Sequence, residues 1–528
     1  MRHLFDIKSG LFPWPIAVVG AFIVVLQLGW RPYIMSDEVT YSHAALHESF
    51  WEARHGQYLF SLLHSPGAFL GDYFYLYSQL INLLFWVASA VMVFYIAKRF
   101  VGVGLAIVIS CLHLIMPASF YASSFMPEAP LAFFVLSAIY FAIRAEDEEF
   151  GPLHLGLLFA SLLFASMTKA HGSVFVVYVL IAGLLIFVFS RNKAWLFVSL
   201  ASFLAILSRA IFGWLTGEQA PFVFGVYNRR ATQPDSREGT QIISAGEQTL
   251  TAQLLDSASA HLGYLLLVVP LVAASVLMGK VFRDATSFLV VGSLGIMFIL
   301  AIYYHATTVL NGEAIVGTNL SRYFEFLLPI SIAPAIALME SSRRLWASLV
   351  VSLAAVAGTA LVFLNELPGQ TVANSALGSV LGQNSWFLAV PLSISIILIM
   401  VFWSHAKPWK LSGLVLAPLF LLSLTFQING STEFRQLSYW DVAGKDLRTL
   451  TNAYGHVDLL IVTSNKFVGF TAGFYANNPN FVVSPNDWCI REGECQPDFV
   501  LYMENLGPQE PMNRIIENED YRIFQPIY

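Results

Sequence analysis

Thirteen windows of mostly apolar residues, each long enough to cross or nearly cross a bilayer, constrain this chain more than any other feature. They fall at 11–30, 76–97, 103–118, 127–143, 153–168, 173–190, 195–215, 262–279, 286–304, 324–339, 345–364, 386–403 and 411–427. Only 12% of the 528 residues are charged, and the mean hydropathy is +0.65. A soluble domain carries about 25% charged residues, so this balance implies an all-α polytopic membrane protein. The formal net charge of −6, with no basic block interleaved with aromatics, excludes nucleic acid as a partner. Arg2 and Lys8 precede the first window and no small-residue cleavage site follows it, which predicts a retained first span.

Basic residues orient the spans. With a cytoplasmic N-terminus, the short inside loops carry pairs such as Lys98/Arg99, Arg191/Lys193, Lys280/Arg283 and Arg343/Arg344. The loops on the opposite face are long: 31–75, 216–261, 305–323 and 365–385. Loops of that length are usually functional, which puts the working surface outside. No internal repeat is found. Residues 1–427 thus read as a transmembrane domain, and 428–528 as a small extracytoplasmic α/β domain. The latter alternates helical stretches (Trp440 to Tyr454, Phe467 to Tyr475) with apolar strand-like runs at Val457–Val462, Phe481–Val483, Phe499–Tyr502 and Tyr521–Phe524. Cys489 and Cys495 flank a loop in a compartment where a disulfide is chemically permitted. No catalysis is assigned to this tail.

Ionisable residues at the edge of the membrane are costly, and four positions on the outer face stand out. Asp37 and Glu38 follow Ser36, a good N-cap, and occupy the first turn of a helix in the first loop. Glu128 opens an apolar span in Phe125-Met126-Pro127-Glu128, Lys169 lies in Thr168-Lys169-Ala170-His171, and Arg322 precedes Tyr323. Acids in a first turn are favoured by the helix dipole whatever the function, and a terminal lysine can simply snorkel. The same residues suit transfer from an anionic donor: a carboxylate takes the acceptor proton, and cations hold the phosphate. Repulsion within the Asp37/Glu38 pair would be relieved by a divalent cation such as Mg or Mn, although two adjacent carboxylates are a weak metal signal. The first-loop aromatics Trp51, Tyr58, Tyr73, Tyr75 and Tyr77 fit sugar stacking and an interfacial belt equally well. Arg209 lies near the outer end of its span, able to reach a cavity or pair with an acid, and His305 is placed at the outer interface.

The order Asp37-Glu38, Leu63-His64-Ser65-Pro66, Met126-Pro127-Glu128, Thr168-Lys169, Arg322-Tyr323 resembles the GT-C glycosyltransferases. It is most similar to the branch holding the protein O-mannosyltransferases and the lipid A aminoarabinose transferases, as is the span count with a C-terminal extracytoplasmic domain. The resemblance implies transfer of a sugar, with inversion, from a polyprenyl-phosphate carrier to an extracytoplasmic lipid, glycan or protein. It implies that Asp37 is the catalytic base or helps hold a metal, that Glu38 and Glu128 line the same cavity, and that Arg322 with Lys169 binds the donor phosphate. The chain departs from the lipid A enzymes at His64-Ser65-Pro66, where they carry a basic residue. The lean loops point to a bacterial inner membrane with the site in the periplasm. Three other readings compete, of which a structural membrane scaffold, whose long loops and tail only bind partners, would leave Glu128 and Arg322 without a role. A polysaccharide polymerase or ligase would rely on outer-loop arginines such as Arg229, Arg230 and Arg237. A transporter or flippase would show discontinuous helices and charges in mid-span.

Overall fold

The computed structural model describes residues 14–31, 35–47, 57–216, 250–279, 281–310, 321–340, 344–364, 393–401, 411–436, 438–455, 457–464, 466–476, 478, 480–485, 487–491, 495–503, 512–518 and 520–526. Its first part is helical: α1 (Trp14–Gln27), α2 (Met35–Leu46), α3 (Tyr58–His64), α4 (Phe74–Ala97), α5 (Val103–Ile115), α6 (Glu128–Ile143), α7 (Pro152–Thr168), α8 (Ala170–Ser190) and α9 (Lys193–Leu215). There follow α10 (Leu250–Val268), α11 (Pro270–Leu277), α12 (Ala285–Leu310), α13 (Leu328–Glu340), α14 (Arg344–Leu364) and α15 (Leu411–Glu433). Residues 393–401 are also helical.

Among the described residues, six helical segments are long and apolar enough to cross a membrane: α4, 128–146, α8, α9, 285–306 and 345–362. The chain is therefore an integral membrane protein. Three apolar helices, α1, α5 and α7, are shorter. The window at 262–279 is not one straight span, because α10 and α11 meet at a bend of 105°. Pro270 is the cause: it has no N–H to continue the ladder and pushes the preceding residue off helical geometry, and Val269 sits at φ −131°, ψ 57°. The helix before the bend starts at Leu250, so part of the expected loop 216–261 is helical. In the first loop, α2 begins at Met35, which places Ser36 inside the first turn rather than flanking it.

The C-terminal part carries α16 (Tyr439–Tyr454), α17 (Lys466–Ala476), a short α18 (Trp488–Arg491) and five strands. These are β1 (Leu459–Val462), β2 (Phe481–Ser484), β3 (Phe499–Met503), β4 (Met512–Glu517) and β5 (Tyr521–Pro526). The order is β2-β1-β3-β5-β4, with β1 parallel to β2 and β3 and the remaining pairs antiparallel. The wholly apolar β1 and β3 are buried throughout, as central strands require. Edge strand β4 and α18 have no counterpart among the expected elements. Cys489, in α18, and Cys495 are bonded to each other.

Helix α16 starts with a capping box in which Ser438 and Asp441 satisfy each other's backbone N–H groups. Burial pushes the Asp441 carboxyl up to about 6, with the Ser438 N–H and Arg31 pulling it back. Gly444 lets α16 lie directly on α17, since a Cβ there would stand 2.4 Å from the Ala472 carbonyl. The sheet domain is tied to the membrane part at two places. Arg31, just past α1, donates its backbone N–H to the Phe434 carbonyl at 2.8 Å, and its guanidinium reaches the Ser438 hydroxyl and Asp441. The second tie is an apolar cluster in which Phe474 and Tyr475 of α17 pack with Ala45, Leu46, Phe60, Phe74, Tyr75 and Phe125.

Candidate functional site

The buried connection between α5 and α6 is the floor of the site. It runs through a short helical turn, Pro117–Ala122, and its backbone carbonyls are claimed by α4: Asn82 Nδ2 donates to the Ser124 and Met126 carbonyls at 2.8 and 3.1 Å. Gln79 Nε2 donates to the carbonyls of Trp30 and Ser123 at 2.6 and 2.5 Å. Buried backbone must be paired, and these two amides fix a non-helical segment inside the helix bundle.

One acid enters from each side of this segment. Glu38, in the first turn of α2, is wholly buried. Its Oε1 accepts the Phe125 backbone N–H at 2.7 Å and the Tyr75 hydroxyl at 3.3 Å. Three residues beyond Phe125, Glu128 opens α6, and its Oε1 accepts from the Lys169 ammonium. Both partners are almost completely inaccessible. Lys169 occupies the extended break between α7 and α8. That break is tight, because a Cβ on Gly172 would lie 2.0 Å from the Ala165 carbonyl, so only glycine fits.

Around this ion pair the chain builds an aromatic platform. The Tyr323 ring stacks on His171 at 4.1 Å and meets Tyr304 edge-on at 5.6 Å. The Lys169 ammonium lies 5.1 Å and the Arg322 guanidinium 5.2 Å from its centroid. Arg322 also donates to the Tyr323 hydroxyl at 3.4 Å. Lys169 and Arg322, far apart in the chain, thus meet at one ring with Glu128 bound to Lys169, and Glu38 joins the α5–α6 segment three residues upstream of Glu128. The Asp37 side chain lies outside the described residues, as do Arg229, Arg230 and Arg237.

Other expected candidates resolve differently. Arg209 is buried with its guanidinium 5.2 Å from the Tyr58 ring centroid, a packing role on α9. His305 is buried, and its Nδ1 is 2.7 Å from the Ser257 hydroxyl, so it faces α10 instead of an interface. His64 packs between Phe60 and Phe125, and burial lowers it to about 3, with Asn82 partly offsetting. Tyr75 proves to be an acid's partner, not a belt residue. Among the described residues no three His, Cys, Asp or Glu side chains come together as a metal site. His171, Tyr304 and the C-terminal Phe474 were missed by sequence reasoning; the run Lys169-Ala170-His171 was the one signal for the first.

No protein-family model matches the sequence, and neither does any curated protein. Solved structures do match. The chain is similar to ArnT from Cupriavidus metallidurans bound to undecaprenyl phosphate, at 15% identity and TM-score 0.53, covering 96% of this chain and 97% of that one. The apo form of that protein gives 16% identity and TM-score 0.52, covering 96% of each chain. The archaeal oligosaccharyltransferase AglB from Archaeoglobus fulgidus, in complex with an inhibitory peptide and a dolichol-phosphate, gives 11% identity and TM-score 0.48, covering 93% of this chain and 69% of that one. The GT-C resemblance of the motif order is met at the level of the fold.

Proposed function

We propose that the chain is an inverting, integral-membrane glycosyltransferase that moves a sugar from a polyprenyl-phosphate carrier to an extracytoplasmic acceptor. The observation that carries this reading is the gathering of Lys169 and Arg322 at the Tyr323 ring, with Glu128 paired to Lys169 and Glu38 bound to the segment just before Glu128. A fold shared with a protein whose structure holds undecaprenyl phosphate supports it.

In this reading Asp37, at the tip of α2, accepts the proton of the acceptor hydroxyl as its oxygen attacks the anomeric carbon. The bond from that carbon to the carrier phosphate breaks on the opposite face, so configuration inverts. The departing phosphate takes the bonding electrons, and the Arg322 guanidinium and Lys169 ammonium stabilise its growing charge. Glu128 holds Lys169 in place, and the Tyr323 and His171 rings give the sugar an apolar face. Glu38 accepts the Phe125 N–H and the Tyr75 hydroxyl, which sets a second carboxyl beside the segment that leads to Glu128. A divalent cation held by Asp37 and Glu38 stays outside this scheme, and no step is routed through one. The reading includes thirteen spans, a cytoplasmic N-terminus, and a periplasmic site in a bacterial inner membrane.

Among the described residues, the break between α10 and α11 is a feature that a transporter would share. It faces a cavity lined by residues such as Leu112, Val268, Val269, Leu328 and Ile332, apolar apart from Ser423 and a poor match to an ion or polar cargo. The test replaces the native protein by Asp37→Asn, Glu128→Gln or Arg322→Ala and follows lipid-linked sugar in the membrane by mass spectrometry. Accumulation of charged carrier with loss of transfer is expected. Full transfer by the Asp37→Asn protein would sink the mechanism.

A further inference from the structure

The C-terminal domain covers one of the proposed catalytic acids. Phe474 of α17 meets Tyr75 edge-on at 5.2 Å, Phe74 at 5.4 Å and Phe125 at 6.4 Å. The Phe125 N–H and the Tyr75 hydroxyl, which also lies 3.2 Å from the Ser123 carbonyl, bind the Glu38 carboxylate. The next residue, Tyr475, senses that carboxylate: burial, then the charges of Asp441 and Glu38, push its phenol up, with Arg31 opposing. Helix α16 braces the contact, with Arg448 5.3 Å from the Phe74 ring centroid and Lys445 5.3 Å from that of Tyr475.

We propose that Phe474 is a positioning residue for Glu38, and hence that the C-terminal domain is part of the active site although it touches no substrate. The inference rests on the transferase reading above. Its physical basis is geometric. The Tyr75 bond, at 3.3 Å, is already at the long end of the O–H···O range, so a small rotation of that ring loses it. Phe474 packs edge-on against the Tyr75 ring and also on Phe125, whose backbone supplies the shorter bond. Among the described residues, Tyr75 on α4 and Tyr475 on α17 lie within electrostatic reach of Glu38, with Asp441 and Arg31 acting on Tyr475. Asp37 precedes Glu38 in α2.

The experiment uses the full-length protein in detergent, normalised to its monodisperse fraction. The donor is a lipid extract of native membranes labelled with radioactive glucose. For Phe474→Ala we expect kcat to fall roughly tenfold with KM for the lipid within about twofold, since a hydrogen bond to a charged group is lost from the reacting state. Phe474→Leu, which keeps most of the bulk, lowers kcat by less, again with little change in KM, and serves where the alanine protein fails to fold. Val482→Thr, on an exposed strand of the same domain, leaves both constants unchanged. A wild-type kcat in the leucine and alanine proteins would overturn the positioning role while Glu38→Gln still abolished transfer. Full transfer by Glu38→Gln would overturn the underlying reading instead.

Discussion

Glu38 and Glu128 are two acids in two first turns, both buried, and the protein treats them in opposite ways. Glu128 faces an ammonium, so its pocket is close to neutral. Glu38 accepts the Phe125 backbone N–H and shares the Tyr75 hydroxyl with the Ser123 carbonyl. The difference shows how a buried site separates roles. A carboxylate paired with a cation anchors that cation, whereas one that accepts a backbone N–H fixes the segment that carries it.

The largest test of that contrast is Lys169→Met, which strands a buried carboxylate at Glu128. We expect a loss of about 3–5 kcal/mol in stability, read from the thermal midpoint in detergent, and no detectable transfer. The double variant Glu128→Gln/Lys169→Met should recover most of the stability and none of the transfer; recovery of transfer would mean that the cation does not meet the phosphate. Arg322→Ala, which removes no buried partner of Glu128, should cost about 2–3 kcal/mol of transition-state stabilisation, seen in kcat at nearly normal stability. Tyr75→Phe removes a hydroxyl shared between Glu38 and the Ser123 carbonyl, and about 1 kcal/mol should be lost in kcat/KM.

On the Glu38 side the pocket also keeps His64 neutral, its burial lowering it to about 3. The unfolded chain takes up a proton near pH 6.5 and the folded one only near 3. The stability this histidine contributes is thus present above pH 6.5 and lost as pH falls toward 3. The slope is at most about 1.4 kcal/mol per pH unit, and thermal midpoints of His64→Asn should be flatter across that window. An unchanged slope would show that His64 is hydrated. The smallest effect is expected from Arg514→Ala, which breaks the exposed pair with Glu517 on β4 and should alter stability by less than about 0.5 kcal/mol.

Much of this architecture is written in local pattern. Apolar runs mark α4, α8 and α9 because a bilayer accepts nothing else of that length. Leu459–Val462 reads as a central strand because four consecutive apolar residues suit burial on both faces. Local pattern fails where an element's environment is mixed. Strand β4, with Asn513, Arg514 and Glu517 at a solvated edge, carries no apolar alternation to betray it. The straight span across 262–279 was excluded by Pro270 only once the bend at Val269 was seen.

The sequence by itself determined that Asp37, Glu38, Glu128, Lys169 and Arg322 stand at helix ends and breaks, because charge at such positions is expensive anywhere deeper in a membrane. Only the tertiary structure decided that Lys169 faces Glu128, that Tyr323 gathers both cations, and that Phe474 from the last domain lies over the residues holding Glu38. Partners in such a site are joined by side-chain packing between elements distant in the chain. No spacing rule along the sequence encodes which buried group answers which.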